Sequence, residues 1–286
     1  MPELPEVEIV KQSLKKTINL RKIKNIVIYN RNLRFKIDQK FETKITSKKI
    51  TNIFRVAKYL IIELEIKNFF LIHFGMSGTL HLVKNKKQKR TNLSFYSSDT
   101  ITNKHNHFEI FFEDFKIVYN DPRRFGFIKY FQYYDELKLF LKRNGLEPLD
   151  RKFNFKYLQN KIKYRKKNIK NILLDQTIIS GIGNIYANEI LFYSKINPNK
   201  LGCDINTEEL KKLSINSKKV LKKAILKGGS SIRNFKNSDG NKGNYQKEFK
   251  VYNKENITCP NFNCDGKIKK IVISNRSSFF CENCQR

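Results

Sequence analysis

The sequence predicts an α+β multidomain protein: an N-terminal antiparallel β-sandwich, a helical domain after it, and a cysteine-bearing β-hairpin at the C-terminus. Three observations carry this reading. Short runs rich in β-branched and aromatic residues recur between polar turns from about residue 22 to 133. The hydrophobic period turns helical from about 151 to 227. Four of the five cysteines fall between residues 259 and 284. With 286 residues, 40% of them hydrophobic and 23 of them Phe, the chain has the material for a real core and for more than one domain.

Residues 5–19 open as a helix, because Val7, Val10, Leu14 and Ile18 fall on one stripe. Pro5 suits its first turn, and Glu6 and Glu8 sit near its positive end. Strand-like runs follow at 23–29, 59–65, 69–74, 79–83, 108–112, 117–119 and 127–131. The lysine-rich stretch 84–90 reads as a solvated loop, 135–143 as a helix, and 145–149 as a turn into the second domain. Helical runs then occupy 155–162, 169–175, 185–193 and 208–226. Residues 228–243, rich in Gly, Ser, Asn and Asp, read as a loop. From 248 onward two hairpin-like runs surround the cysteines, and no internal repeat is present.

Charge narrows the function. With 58 Lys+Arg against 26 Asp+Glu the formal net charge is +32, which repels itself unless a polyanion compensates. Nucleic acid is the natural partner, with an anionic membrane surface as the other candidate. The bias to Lys, Asn and Ile with no Trp also fits an AT-rich genome, so a single lysine carries little message. No apolar run reaches the roughly 18 residues that span a bilayer. The opening Met-Pro-Glu-Leu-Pro-Glu is unlike a secretory leader, so a cytoplasmic protein is expected.

Cys259 and Cys264 enclose four residues, a 16-residue spacer follows, and Cys281 and Cys284 enclose two. Two such pairs, one hairpin apart, suit tetrahedral ligation of one structural Zn²⁺; the bland alternative is four reduced thiols in a small hairpin. Cys203 reads as incidental.

At the other end, Met before Pro is usually removed, which leaves Pro2 as a secondary amine. An α-amino group has a pKa of roughly 8 against about 10.4 for lysine, so at neutral pH about a tenth of it is nucleophilic. Glu3 and Glu6 lie beside it, placed for proton transfer or electrostatic support. An ordinary helix start, with Pro and acidic residues in the first turn, explains the same residues without chemistry.

The chain also resembles a known family along its whole length. Residues 1–8, Met-Pro-Glu-Leu-Pro-Glu-Val-Glu, resemble the start of the bacterial formamidopyrimidine-DNA glycosylases. In the same order follow counterparts of the lysine segment (56–60), the methionine loop (72–78), the histidine segment (104–107), the intercalation loop (120–126) and the helix–two-turn–helix turn (180–187). Residues 228–233, Val251-Tyr252 and the zinc β-hairpin with Arg276 complete the set. The first cysteine pair departs from the family's usual two-residue spacing, with Asn261 and Phe262 looking inserted.

The resemblance implies a bifunctional glycosylase and AP lyase acting as a monomer on double-stranded DNA that contains oxidised purines or abasic sites. It divides the chain into a catalytic β-sandwich domain (1–134), a linker (135–150), a helix–two-turn–helix domain with a lesion-capping loop (151–247) and a zinc finger (248–286). It makes Pro2 the nucleophile, Glu3 the general acid, Glu6 a charge-balancing group, Lys58 a participant in base release and β-elimination, and Arg276 a phosphate grip for the second elimination. Phe125 resembles the wedge, Met76 the filler of the vacated stack, and Arg123 the reader of the orphaned cytosine, with Arg124 beside it. Without the resemblance Phe125 reads equally as core. Asn184, at the start of a helix, suits a phosphate. Arg165, Lys167 and Lys170 resemble DNA-contacting cations, or a solvated face. His73, His105 and His107 suit phosphate contacts, or local hydrogen bonding. Two other readings stand beside this one: a sister glycosylase of the endonuclease VIII type, specific for oxidised pyrimidines, and a non-catalytic zinc DNA-binding protein.

Overall fold

The computed structural model describes residues 2–84, 90–92, 102–230 and 243–286. Most of the stretch read as a lysine-rich loop, and most of the glycine-rich segment that includes the lesion-capping loop, lie outside the described residues. Two units emerge, Met1–Lys142 with Lys227–Gln246, and Arg143–Leu226 with Lys247–Arg286.

The first unit opens with α1 (Leu4–Ile18). A reciprocal capping box formed by Glu3 and Glu6 starts it, and Leu4, Val7, Val10, Leu14 and Ile18 bury one stripe. Two antiparallel sheets follow. One contains β1 (Asn25–Ile28), β7 (Asn106–Phe111), β8 (Phe115–Asn120), β5 (Thr79–Lys84) and β6 (Arg90–Asn92), in that spatial order. The other runs β2 (Ile50–Val56), β3 (Tyr59–Leu64), β4 (Phe69–His73), β9 (Phe127–Phe131). Ile61, Phe69, Leu71, Phe127 and Phe131 pack with Leu137 of α3 (Tyr134–Leu141) into a shared core.

Three elements here escape the sequence pattern. The strand β2 is an edge whose exposed and half-buried positions break the alternation, and β6, three residues long, and α2 (Phe41–Ile45), five residues long, are too short to show a period.

The second unit contains α4 (Phe155–Ile162), α5 (Ile169–Leu174), α6 (Asn184–Ser194) and α7 (Thr207–Leu226). Asn154 and Asn168 cap α4 and α5, accepting hydrogen bonds from the N–H groups of Tyr157 and Asn171. The C-terminal hairpin pairs β10 (Ile268–Ile273) with β11 (Arg276–Cys281), and its turn residues Ser274 and Asn275 have φ of +47° and +60°. Only one of the two hairpin-like runs forms strands; the run before Cys264 contributes a single bridge, Thr258 to Lys267. Phe192, Val251, Cys259, Ile268, Phe279 and Cys281 form the core beneath this hairpin. Among the described residues no helix is long and apolar enough to cross a membrane.

Candidate active site and nucleic-acid interface

Pro2 and Glu3 are buried where α1 begins. The Glu3 N–H donates to Glu6 Oε2 at 2.9 Å. Glu6 Oε1 accepts from the backbone N–H and the hydroxyl of Ser230, at 3.0 and 2.9 Å. A carboxylate 2% exposed and bonded through both oxygens cannot swing, so it sets the position of the Glu3 backbone beside Pro2.

Lys58, 6% exposed, sits on the β2–β3 turn, where Ala57 adopts φ +53°. Arg55 straps that turn down: its Nη1 donates to the Ala57 carbonyl at 3.0 Å, and its Nε donates to Glu8 of α1 at 2.9 Å. Burial alone would raise the Glu8 carboxyl, but Lys11 and Arg55 outweigh it and hold the group below its usual range. The turn that carries Lys58 and the helix that begins beside Pro2 are thereby one piece.

Arg123, Arg124 and Phe125 lie exposed on the β8–β9 connection, and Met76 lies exposed on the β4–β5 connection. Phe125 is 43% exposed and Met76 41%, large apolar surfaces left to solvent in a region rich in cations. The Arg123 guanidinium stacks 4.6 Å from the centroid of the Phe125 ring. Arg34, His73, Met76, Arg123, Arg124 and Phe125 line most of one pocket of about 630 Å³. The His73 ring stacks on Phe127, and its Nδ1 accepts the Gly75 N–H at 3.2 Å. Burial, then the nearby Lys58 and Arg34 cations, lower its pKa to about 3, so it is a neutral imidazole with its proton on Nε2 at neutral pH.

His105 is half-buried, and its carbonyl accepts the Asp121 N–H. His107 is 2% exposed, and its Nε2 donates to the Asp121 carbonyl at 2.8 Å, which directs it inward rather than to a phosphate.

In the second unit, Asn184 begins α6 and donates from Nδ2 to the Ser277 carbonyl at 3.0 Å. Gln176 shapes the turn before it, accepting the Gly181 N–H and donating to the Ile182 carbonyl, both at 2.9 Å. Arg276 is exposed at the start of β11. Arg165 and Lys167 are exposed, with Lys167 3.9 Å from Asp175. Lys170 differs from its expected place on a DNA face. It is fully buried, and its ammonium donates to the Ser277 carbonyl at 2.8 Å and the Ser278 hydroxyl at 2.5 Å. It is a tether between α5 and the hairpin, because a buried ammonium must spend its protons on nearby acceptors.

Sequence reasoning missed Gln176, Arg55, Ser77, Asp121, Asn188 and Glu189. Asn188 Oδ1 accepts the Phe279 N–H at 2.7 Å, and Glu189 accepts the N–H groups of Lys250, Val251 and Tyr252 at 2.8, 3.0 and 2.9 Å. Burial raises the Glu189 pKa against the pull of those three donors. Polar residues inside a helical run read as surface, and nothing local marks them as anchors.

The four cysteine sulfurs all lie within 4.8 Å of one another, with Cys259–Cys284 at 3.7 Å and Cys264–Cys281 at 3.6 Å. A tetrahedral site with Zn–S bonds of about 2.3 Å has edges of roughly 3.8 Å, so the sulfurs stand where one structural Zn²⁺ places them. Of the two extra residues of the first pair, Asn261 is half-buried and Phe262 is 94% exposed.

Three family models match the chain. They are the formamidopyrimidine-DNA glycosylase N-terminal domain over residues 1–128, the formamidopyrimidine-DNA glycosylase H2TH domain over 144–236, and the zinc finger found in FPG and IleRS over 257–286. Fold and site together define a DNA-repair glycosylase that carries a zinc finger. Formamidopyrimidine-DNA glycosylases of Rickettsia bellii and Hydrogenovibrio crunogenus are 37% and 36% identical to it, each over 100% of this chain and 100% and 97% of theirs. The chain belongs to the formamidopyrimidine-DNA glycosylase family. A Lactococcus lactis FPG mutant in complex with Fapy-dG-containing DNA superposes with a TM-score of 0.88 at 33% identity, with both chains covered in full. The L. lactis enzyme bound to abasic-site DNA gives 0.87 at 32% identity, with 99% of each chain covered.

Proposed function

We propose that this protein excises oxidised purines from duplex DNA and cleaves the resulting abasic site, with Pro2 as the nucleophile. The observation that carries the reading is the buried N-terminus: Pro2 and Glu3 stand against a Glu6 carboxylate held through both oxygens, with Lys58 on a turn strapped to the same helix. After loss of Met1 the Pro2 nitrogen forms a bond to C1′, and the damaged base leaves with its bonding electrons and takes up the proton that the amine nitrogen gives up. Glu3 supplies a proton to the sugar ring oxygen as the ring opens, giving a cationic iminium. That iminium acidifies the 2′ position; loss of a proton there expels the 3′ phosphate, and a second elimination expels the 5′ phosphate. Lys58 and Arg276 serve the eliminations through proton transfer and phosphate grip.

Extruding a base leaves a vacancy, and apolar or planar groups that fill it offset the few kcal/mol of lost stacking. Met76 and Phe125 are assigned to that vacancy and Arg123 to the orphaned cytosine. Asn184, His73, Arg165 and Lys167 are assigned to the DNA backbone. The Cys259, Cys264, Cys281 and Cys284 thiolates would hold one Zn²⁺, whose contribution is to fix the small hairpin that presents Arg276. A cytoplasmic location follows from a chromosomal substrate.

Borohydride trapping on abasic DNA, paired with mass spectrometry of the mature N-terminus, tests the reading. Protein that starts at Pro2 is expected to crosslink, and protein that retains Met1 is not, because an amide nitrogen is not nucleophilic. Binding without crosslinking by Pro2-started protein would overturn it in favour of a non-catalytic zinc protein. Faster excision of thymine glycol than of 8-oxoguanine paired with cytosine would move the substrate class to oxidised pyrimidines.

A further inference from the structure

The topology of the first unit places two connections side by side. Residues 74–78 lead from β4 to β5, and residues 121–126 lead from β8 to β9. Because β5 pairs with β8 and β4 pairs with β9, both connections leave one sheet and enter the other between the same two strand pairs. One carries Met76, the other Arg123 and Phe125.

Asp121 stands where they meet, with 0% exposure. Its Oδ1 accepts the Ser77 hydroxyl at 2.5 Å and the Arg123 N–H at 3.3 Å. Its Oδ2 accepts the Gly126 N–H at 2.8 Å and the Tyr119 hydroxyl at 3.3 Å. Ser77 Oγ in turn accepts the Arg123 N–H at 3.2 Å. Among the described residues no ion pair to Asp121 occurs, and its side chain accepts from neutral donors alone. Such a site suits a group that only accepts, and a carboxylate meets that requirement where an amide would turn donors against donors. The backbones close in around it. A Cβ on Gly75 would stand 2.3 Å from the Phe125 carbonyl carbon, one on Gly126 would stand 1.8 Å from the Tyr119 hydroxyl, and one on Gly78 would stand 2.5 Å from that same hydroxyl.

We propose that Asp121 is the positioning residue that locks the 74–78 and 121–126 connections into one body, so that Met76, Arg123 and Phe125 enter DNA in fixed register. Asp121 touches no substrate; it acts through the backbone N–H groups of Arg123 and Gly126 and through Ser77. The inference rests on the assignment of Arg123 to the orphaned base made above. A freely hinged loop would pay for ordering Arg123 at each encounter, and cytosine would gain less over a mismatched base.

The test uses full-length, zinc-loaded protein with a mature N-terminus in single-turnover excision of 8-oxoguanine opposite C and opposite A. The C-over-A ratio is read for D121N, S77A, S77T and R123A, with 2-aminopurine fluorescence beside the lesion reporting wedge entry. The expectation is that D121N and S77A lower the ratio about tenfold and cut the fluorescence amplitude, while S77T, which keeps the hydroxyl, retains both. An R123A ratio that falls while the D121N and S77A ratios stay at wild type would overturn the inference. So would rates that fall in proportion with the ratio held, the mark of a purely structural carboxylate. Should R123A itself leave the ratio unchanged, the cytosine assignment fails, and the fluorescence amplitude alone decides: loss in S77A and D121N sustains the lock, and no loss removes it. S77A carries the test if D121N does not fold.

Discussion

Arg55 Nε donates to Glu8 Oε2 at 2.9 Å, and this pair joins the turn that carries Lys58 to the helix that begins beside Pro2. Both side chains are largely shielded, at 9% and 14% exposure, so the attraction is poorly screened. Arg55→Ala is expected to lower stability by about 2 kcal/mol and to slow Schiff-base formation, with thermal denaturation and trapping rates as the two readouts.

The same pair predicts a pH dependence. The folded-state pKa of Glu8 lies below its ordinary value, so its contribution is present above the unfolded pKa and is lost as pH falls through the lower, folded one. The melting-temperature gap between wild type and Glu8→Gln should therefore be full at neutral pH and close as the pH falls below about 4. A gap that widens on acidification would contradict the assignment.

Glu3→Gln separates the two chemical halves. In the proposed mechanism, excision of a damaged base needs the proton that Glu3 gives to the sugar ring, whereas an abasic site already presents an openable sugar. Single-turnover excision is expected to fall by about 10²-fold or more, with a much smaller loss on ready-made abasic DNA.

Two lysines only three positions apart should behave differently. Lys167→Ala is expected to leave the melting temperature unchanged and to reduce the salt slope of DNA binding by about one, as for a lost phosphate contact. Lys170→Met removes the donor to the Ser278 hydroxyl and leaves the Ser277 carbonyl with Asn184 Nδ2 alone, so it should lower stability by about 1–3 kcal/mol and leave the salt slope unchanged.

Chelation of zinc should release the hairpin first, because its core is small and its four sulfurs are held together at 4.8 Å or less. DNA affinity is expected to drop while the first unit resists proteolysis; simultaneous loss of both would show that the metal supports the whole chain.

Much of this protein was legible in its sequence. The stripe of α1, the periods of α4 to α7, the two cysteine pairs and the Pro2–Glu3–Glu6 spacing are local, and each is defined by neighbours a few residues apart. Resemblance along the chain supplied the order of the parts. The pattern failed where burial and polarity disagree. Asp121, Glu189 and Lys170 look like surface charge, and each is a buried anchor.

The sequence by itself determined the metal ligands and the class of partner, because four spaced thiols and an excess of 32 positive charges hold whatever the packing, and it marked Pro2 as the nucleophile proposed above. Tertiary structure alone decided what holds them in place: Glu6 against Ser230, 224 positions away; Lys170 against Ser278, 108 away; Asp121 against Ser77, 44 away. Such partners meet only once strand register and sheet pairing are set, and a hydrogen bond between distant residues leaves no period in the chain.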